Sequence, residues 1–350
     1  MGGGETVIIL IILAIFIALK NQKLAQIVSA WLRRLAGQSA ELASELDIAW
    51  LGFSYLAFRM LHVLRDYQAG RINAPSLRNL ASYAFYFPAF TAGPIDRYPR
   101  FSADLERIFP TTSSKESTDA AIRRQQDLFE GGRRLAIGLF KKFVVADSLA
   151  IFSLSSQNAN QVSTSGWLWL LVYAYSLRIY LDFSGYTDIA LGLSRWMGIR
   201  LPENFDRPYL KTNLTAFWNS WHITLAQWFR AYIFNPLTRA LRSREKPTPI
   251  WLIILAGQTL IMTLIGLWHG ITWNFAIWGL WHAVGLFIHN RWSDWIRPRA
   301  ATAKPHQVFD KTVKFAGWFL TFHYVTLGWV WFALPSTPTA WQVMLKLFNL

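Results

Sequence analysis

Of the seven histidines in the chain, two stand where an imidazole could do chemistry. His222 lies in Leu201–Leu237, LPENFDRPYLKTNLTAFWNSWHITLAQWFRAYIFNPL, and His269 in Leu264–Gly285, LIGLWHGITWNFAIWGLWHAVG. Each follows a tryptophan, Trp221 and Trp268. Histidine is the side chain whose ordinary pKa suits a general base near neutrality. His269 is the sharper candidate because it closes an apolar run, and an imidazole at membrane depth is costly unless it has a function. Gly266 and Gly270 flank it and leave room for a substrate or a neighbouring helix, with Thr272 close by. A packing histidine bridging two helices would show the same surroundings.

Taken as one helix, Asn213–Tyr232 places Trp218, Trp221, His222, Leu225, Trp228, Phe229 and Tyr232 at spacings of three and four. Thr212 or Asn213 then serves as N-cap. His222 falls on the aromatic stripe, although an interfacial anchor with a merely hydrogen-bonded histidine fits the same pattern. His282 and His289 sit two turns apart on a later apolar segment. HxxxH and HExxH spacings are absent from the sequence, so no metal site is expected. With no cysteine in the chain, any thioester sulfur must arrive with a donor. GxSxG and phosphate-loop patterns are missing, and His62 precedes Asp66 by one residue too few for the soluble acyltransferase His-Asp pair. In YLDFSGYTDIALGLS, Asp182 and Asp188 flank a helix break expected at Gly185, as caps or as supports for a site.

The elements that must position these residues belong to a chain that has given up solvated surface. It is 53% hydrophobic and 16% charged, against about 25% charged in average soluble domains. Nineteen Trp and twelve Tyr favour the membrane–water boundary. The net charge of +15 is spread between apolar segments, where it orients the chain and meets anionic headgroups. No nucleic-acid recognition motif accompanies it, so that class is excluded. Apolar runs at Val7–Leu19, Leu46–Leu64, Leu80–Ile95, Leu135–Leu154, Gly166–Leu181, Ile250–Trp268, Trp273–His289 and Val313–Leu334 predict eight spans with both ends outside, Leu80–Ile95 being alternatively re-entrant. Residues 95–134, helical from about Thr118, and 182–249 read as cytoplasmic loops or interfacial helices. The fold expected is all-α, a polytopic transmembrane bundle with re-entrant or interfacial helices.

Three segments together carry a resemblance: YFPAFTAGPIDRYPRF at 86–101, YLDFSGYTDIALGLSRWMGIRLPENFDRPYLKTNLTAFWNSWHITLAQWFRAYIFNPL at 180–237, and LIGLWHGITWNFAIWGLWHAVGL at 264–286. In this order they resemble the membrane-bound O-acyltransferases over roughly 47–334, in the bacterial branch that includes the alginate O-acetyltransferase membrane subunit and the teichoic-acid D-alanyl transfer protein. The resemblance implies one integral membrane acyltransferase domain over 1–350, its helices surrounding a central tunnel open to both faces. His269, in the WHG element, would be the essential residue, and His222, in WHITL, its companion. Where relatives carry Arg before the WH pair and Asp in WFRDY, this chain has Ser220 and Ala231, and relatives tend to have longer N-terminal membrane regions.

The function expected is transfer of an acyl group, acetyl by expectation, from a cytoplasmic acyl-CoA or acyl-carrier-protein thioester. The acceptor would be a hydroxyl of an extracytoplasmic polysaccharide, or a helper protein. His269 and His222 would be catalytic, with Asn213, Trp218, Trp221, Trp268, Thr272 and Asp182 binding or positioning substrate. His222 or Asn213 would place the donor or hydrogen-bond the developing oxyanion. The donor would dock on the basic stretch Arg195–Lys246. No bound cofactor or metal is expected, and the location is the inner or plasma membrane, multi-pass. A carrier or flippase for a lipid-linked saccharide is the alternative, and a non-catalytic partner-holding subunit a third.

Overall fold

The computed structural model describes residues 3–109, 118–243, 248–302 and 307–350. Arg244 and Lys246 of the expected docking surface, and 110–117 of the first expected loop, lie outside the described residues. Among the described residues, regular structure is helical apart from one antiparallel bridge between Phe205 and Trp221. The chain resolves into two compact units, Met1–Phe140 with Gly185–Glu203, and Lys141–Ser184 with Asn204–Leu350.

The first unit contains α1 (Gly3–Lys20), α2 (Gln22–Leu35), α3 (Phe53–Gln68), α4 (Leu77–Ala84), α5 (Tyr98–Ile108) and α6 (Thr118–Leu139). The second contains α7 (Asp147–Phe152), then α9 (Leu214–Trp218), α10 (Ile223–Phe229), α11 (Asn235–Arg242), α12 (Ile250–His269), α13 (Trp273–Thr302), α14 (Gln307–Ala333) and α15 (Thr337–Leu347). Helix α8 (Ser165–Trp196) gives residues to both. Two π-helical stretches, Phe140–Ala146 and Arg230–Phe234, continue the helices before them.

Among the described residues, α12 is the helix long and apolar enough to cross a membrane alone, with a mean hydropathy of 2.1 over its best window. The stretch Thr6–Lys20 with Gln22–Leu35 passes only as a pair, bent by 104° at Asn21, whose side chain caps α2 at Leu24. The expected count of eight spans is therefore not carried by helix length and hydropathy. Apolar side chains nonetheless stay exposed along α1 (Val7, Leu10, Ile11) and at the start of α12 (Ile250, Trp251), surfaces that lipid would cover.

Leu80–Ile95 is not a spanning helix. Helix α4 has 8 residues and gives way to a short 3₁₀ turn, Phe87–Ala89, with Pro88 inside it. A helix ending in apolar surroundings leaves carbonyl groups that must find donors. Arg59, buried on α3, supplies them: its guanidinium donates to the carbonyls of Ala84 at 2.8 Å and Tyr83 at 3.2 Å, and closely to that of Ala89. Arg59, a charge inside the apolar run Leu46–Leu64, is thus a cap for the broken segment beside it. Tyr83, packed among Tyr98 and Phe101, donates its hydroxyl to the Asp96 carbonyl at 2.6 Å and fixes the AGPIDRY turn.

Gly185 does not break the helix either, since α8 runs through it for 32 residues. Its role is close packing. A Cβ on Gly138 of α6 would lie 2.6 Å from the Gly185 carbonyl oxygen, and one on Gly192 would lie 2.6 Å from that of Gly131. Gly131 and Gly138 on one helix therefore face Gly192 and Gly185 on the other, and the backbones approach as only small residues allow. Arg134, between the α6 glycines, pairs with Asp188 at 2.6 Å and with Glu203 at 2.5 Å. Asp188 is thus structural rather than a cap. Because α8 continues to Trp196, the expected loop 182–249 begins as helix, and the helix expected to end near Arg134 runs on to Phe152.

Gly138→Val or Gly192→Val should lower the melting temperature in detergent, overpacking of this kind costing about 1–3 kcal/mol. Gly166→Ala, where nothing lies within 4 Å of a new Cβ, should leave it unchanged.

Candidate functional site

The segment expected as one helix over Asn213–Tyr232 is three pieces. Helix α9 is capped by Asn213, whose side-chain oxygen accepts from the Ala216 N–H at 2.8 Å. It stops at Trp218, and α10 begins only after His222. The link is held by the preceding chain, where Asp206 N donates to Ser220 O at 3.0 Å and Ile223 N to Asn204 O at 2.9 Å. His222 itself takes φ 46° and ψ 52°. A left-handed conformation costs a residue with a Cβ roughly 1–2 kcal/mol, so the surroundings hold this histidine where an aromatic stripe on a regular helix would not.

The His222 ring is 4% exposed. It meets Phe183 edge-on at 4.7 Å and Trp268 at 6.0 Å between ring centroids. Its Nδ1 lies 3.4 Å from Asn204 Oδ1. His269, at the C-terminal end of α12, is half-buried against the other side of this environment. Trp268 lies 4.5 Å from it and Phe332 4.8 Å, both edge-on, with Trp278 at 5.7 Å. One indole, that of Trp268, thus contacts both imidazoles.

Trp221 and Trp218 extend the aromatic surroundings in two directions. Trp221 stacks on Phe217 at 5.6 Å and contacts Trp329 at 5.1 Å, while Trp329 stacks on Trp278. Trp218 meets the fully buried His282 at 4.9 Å and lines a cavity of about 200 Å³ with Arg230, Phe234 and Gln258. Asn213 lines a second cavity of about 550 Å³ with His289, Trp292 and Lys314. The linings of these two cavities do not include His222 or His269. Thr272 is exposed and caps the start of α13, its Oγ1 accepting from Phe275 N at 3.5 Å. Asp182 is an ion-pair partner of Lys142 at 2.5 Å, with 48% of its side chain exposed. Of the expected residues, His222, His269, Trp268 and Trp221 therefore come into one aromatic cluster, Trp218 borders it, and Asn213, Thr272 and Asp182 act as caps or ion pairs.

Two residues escaped the sequence reading. Asn204, fully buried, holds the His222 link through both its backbone and its side chain. Asn274, buried at the start of α13, donates to the Leu334 carbonyl and accepts from Thr337, tying the α12–α13 turn to the end of α14. Only the habit of asparagine side chains to capture backbone groups near turns hinted at either. Among the described residues no three His, Asp or Glu side chains gather as a metal site.

The model of the membrane-bound O-acyltransferase family matches residues 6–329. The chain belongs to that family. It is similar to the probable alginate O-acetylase AlgI of Azotobacter vinelandii, 33% identical over 312 residues, which cover 85% of this chain and 54% of the relative. A teichoic acid D-alanyltransferase of Streptococcus thermophilus is 29% identical over 301 residues, 81% of this chain and 68% of the relative. A peptidoglycan O-acetyltransferase of Helicobacter pylori is 33% identical over 273 residues, 77% of this chain and 47% of the relative. The chain spans about half the length of the alginate and peptidoglycan relatives it matches. In this member of the family, Ser220 is buried and donates to the Phe217 carbonyl at 2.8 Å, closing the end of α9. Ala231 sits in the π-helical turn Arg230–Phe234.

His222→Asn should melt close to the parent, because asparagine tolerates the left-handed region. His222→Val should melt lower by the equivalent of about 1–2 kcal/mol, since a β-branched residue does not. Thermal unfolding of the purified proteins in one detergent compares them.

Proposed function

We propose that this protein transfers an acyl group from a thioester to a hydroxyl, with His269 as general base. The observation that carries the reading is the placement of His269 at the end of α12, the helix among the described residues long and apolar enough to cross a membrane alone, sharing the Trp268 indole with the buried imidazole of His222. Family membership supports the reaction class, and the named relatives suggest acetyl or D-alanyl as the group moved. The donor is an acyl-CoA or acyl-carrier-protein thioester reaching the site from the cytoplasm, and the acceptor is a hydroxyl on an extracytoplasmic glycan or a helper protein. A passage linking the two faces of the inner or plasma membrane belongs to this proposal. It spares a polar sugar from crossing lipid.

The bonds that form and break belong to the two substrates, and the chain supplies the base. His269 takes the hydroxyl proton as the oxygen attacks the thioester carbonyl. The tetrahedral centre then collapses, the C–S bond breaks, and the proton passes to the leaving thiolate. Substrate seated against Trp268, Phe332 and Trp278 would complete the cover over the half-buried His269 and keep water out, so the acyl group would go to the alcohol rather than being hydrolysed. Such a positioned base contributes about 10²–10⁴ in rate. His269→Ala should therefore lower transfer by about that factor, measured as ester formation on envelope polysaccharide and as loss of thioester with purified protein. Normal transfer by the purified, folded His269→Ala protein would sink the mechanism, whereas retained envelope acylation in cells, with no thioester consumed by the purified protein, would favour a partner-holding role.

A further inference from the structure

Asn204 offers one side-chain oxygen to three groups. The Thr224 backbone N–H lies 3.2 Å from Oδ1, the Thr224 hydroxyl 2.7 Å, and His222 Nδ1 3.4 Å. All three residues are nine-tenths or more buried. A backbone N–H can only donate, so the atom facing it must be the amide oxygen and not the nitrogen. An amide oxygen can only accept, so the imidazole nitrogen beside it must carry the proton. In a neutral ring the other nitrogen is then bare. That nitrogen, Nε2, is buried and has no hydrogen-bond partner among the described residues. The same asparagine also fixes the chain beside the ring, with Ile223 N tied to Asn204 O and His222 held at φ 46°.

We infer that Asn204 is a positioning residue that locks His222 as the Nδ1–H tautomer, so that Nε2 faces the aromatic cluster as a hydrogen-bond acceptor. This rests on the proposed acyl transfer for its meaning and narrows it. A ring with a bare Nε2 cannot donate to an oxyanion, and the stabilising role considered for His222 falls away. Its partner in the reaction is instead an O–H or N–H of a substrate, held by acceptance. The donor to the developing oxyanion is another group.

The ring can be read directly without turnover. Full-length protein labelled with ¹⁵N-histidine, in detergent at about pH 8 where a neutral ring is expected, gives two-bond ¹H–¹⁵N correlations. These distinguish the protonated nitrogen from the bare one. The His222 pattern is assigned by its loss in His222→Asn. The expected result is a bare Nε2 and a protonated Nδ1. Thr224→Val, which removes a competing hydroxyl donor to Asn204 Oδ1, should keep this pattern. Asn204→Leu should shift His222 mainly to the Nε2–H form and lower the turnover number by about tenfold or more, with little change in KM. A parent protein whose His222 is protonated at Nε2, or at both nitrogens, overturns the inference whatever the variants do. A protein with the expected tautomer but no acyl transfer overturns the proposed function and leaves this assignment standing.

Discussion

Backbone groups that leave a helix among apolar side chains must be met by something, and in this chain they are met by single buried polar side chains. Water is not at hand in hydrocarbon, and each unmet N–H or C=O costs several kcal/mol. Arg59 answers the carbonyls at the end of α4, and Asn204 answers amides where α10 begins. Both interrupted segments are consequently irregular yet fixed. The interruption at 219–222 turns the His222 ring out of the helical stripe and toward Trp268. A continuous helix would have spent the same residues on packing.

Close backbone contact is the second device, and it works by omission. Glycines on α6 and α8 meet face to face, while on α12 and α13 Gly266 lies against Phe275 and Gly279 against Met262, where added methyl groups would overlap the carbonyls of those residues. Helices in lipid gain little from the hydrophobic effect against one another and depend on fit. Tight pairing of α12 with α13 is what lets the three-residue turn after His269 be so short. That places the imidazole beside Phe275 and Trp278 of the returning helix.

Much of this was legible from residue types. The apolar helix over 250–268, the helix starting at Trp273 and the Asn213 cap were legible because each depends on local pattern. What escaped depends on partners distant in sequence. The spacing of Trp218, Trp221, Leu225 and Trp228 survives the four-residue break at 219–222, so periodicity did not reveal it. Nothing in a sequence marks a histidine as left-handed. Gly185 reads as punctuation in a soluble chain, but in an apolar helix it is a contact surface. Asp182 and Asp188 looked like a pair and instead serve separate cations, Lys142 and Arg134. Asn204, inside a loop rich in proline and charge, gave no periodic signal at all.

The π-helical turn Arg230–Phe234 carries a consequence of its own. Such a turn, with i→i+5 hydrogen bonds, holds one residue more than the α-helix it interrupts. Arg230 and Phe234, at its two ends, both line the smaller cavity beside Trp218. Removing a single residue there would let the chain close into ordinary helix, withdrawing one wall of the cavity while the flanking segments keep their hydrogen bonds. Chain length at this place is therefore a dial on the shape of the enclosure, open to adjustment without rebuilding the helices around it.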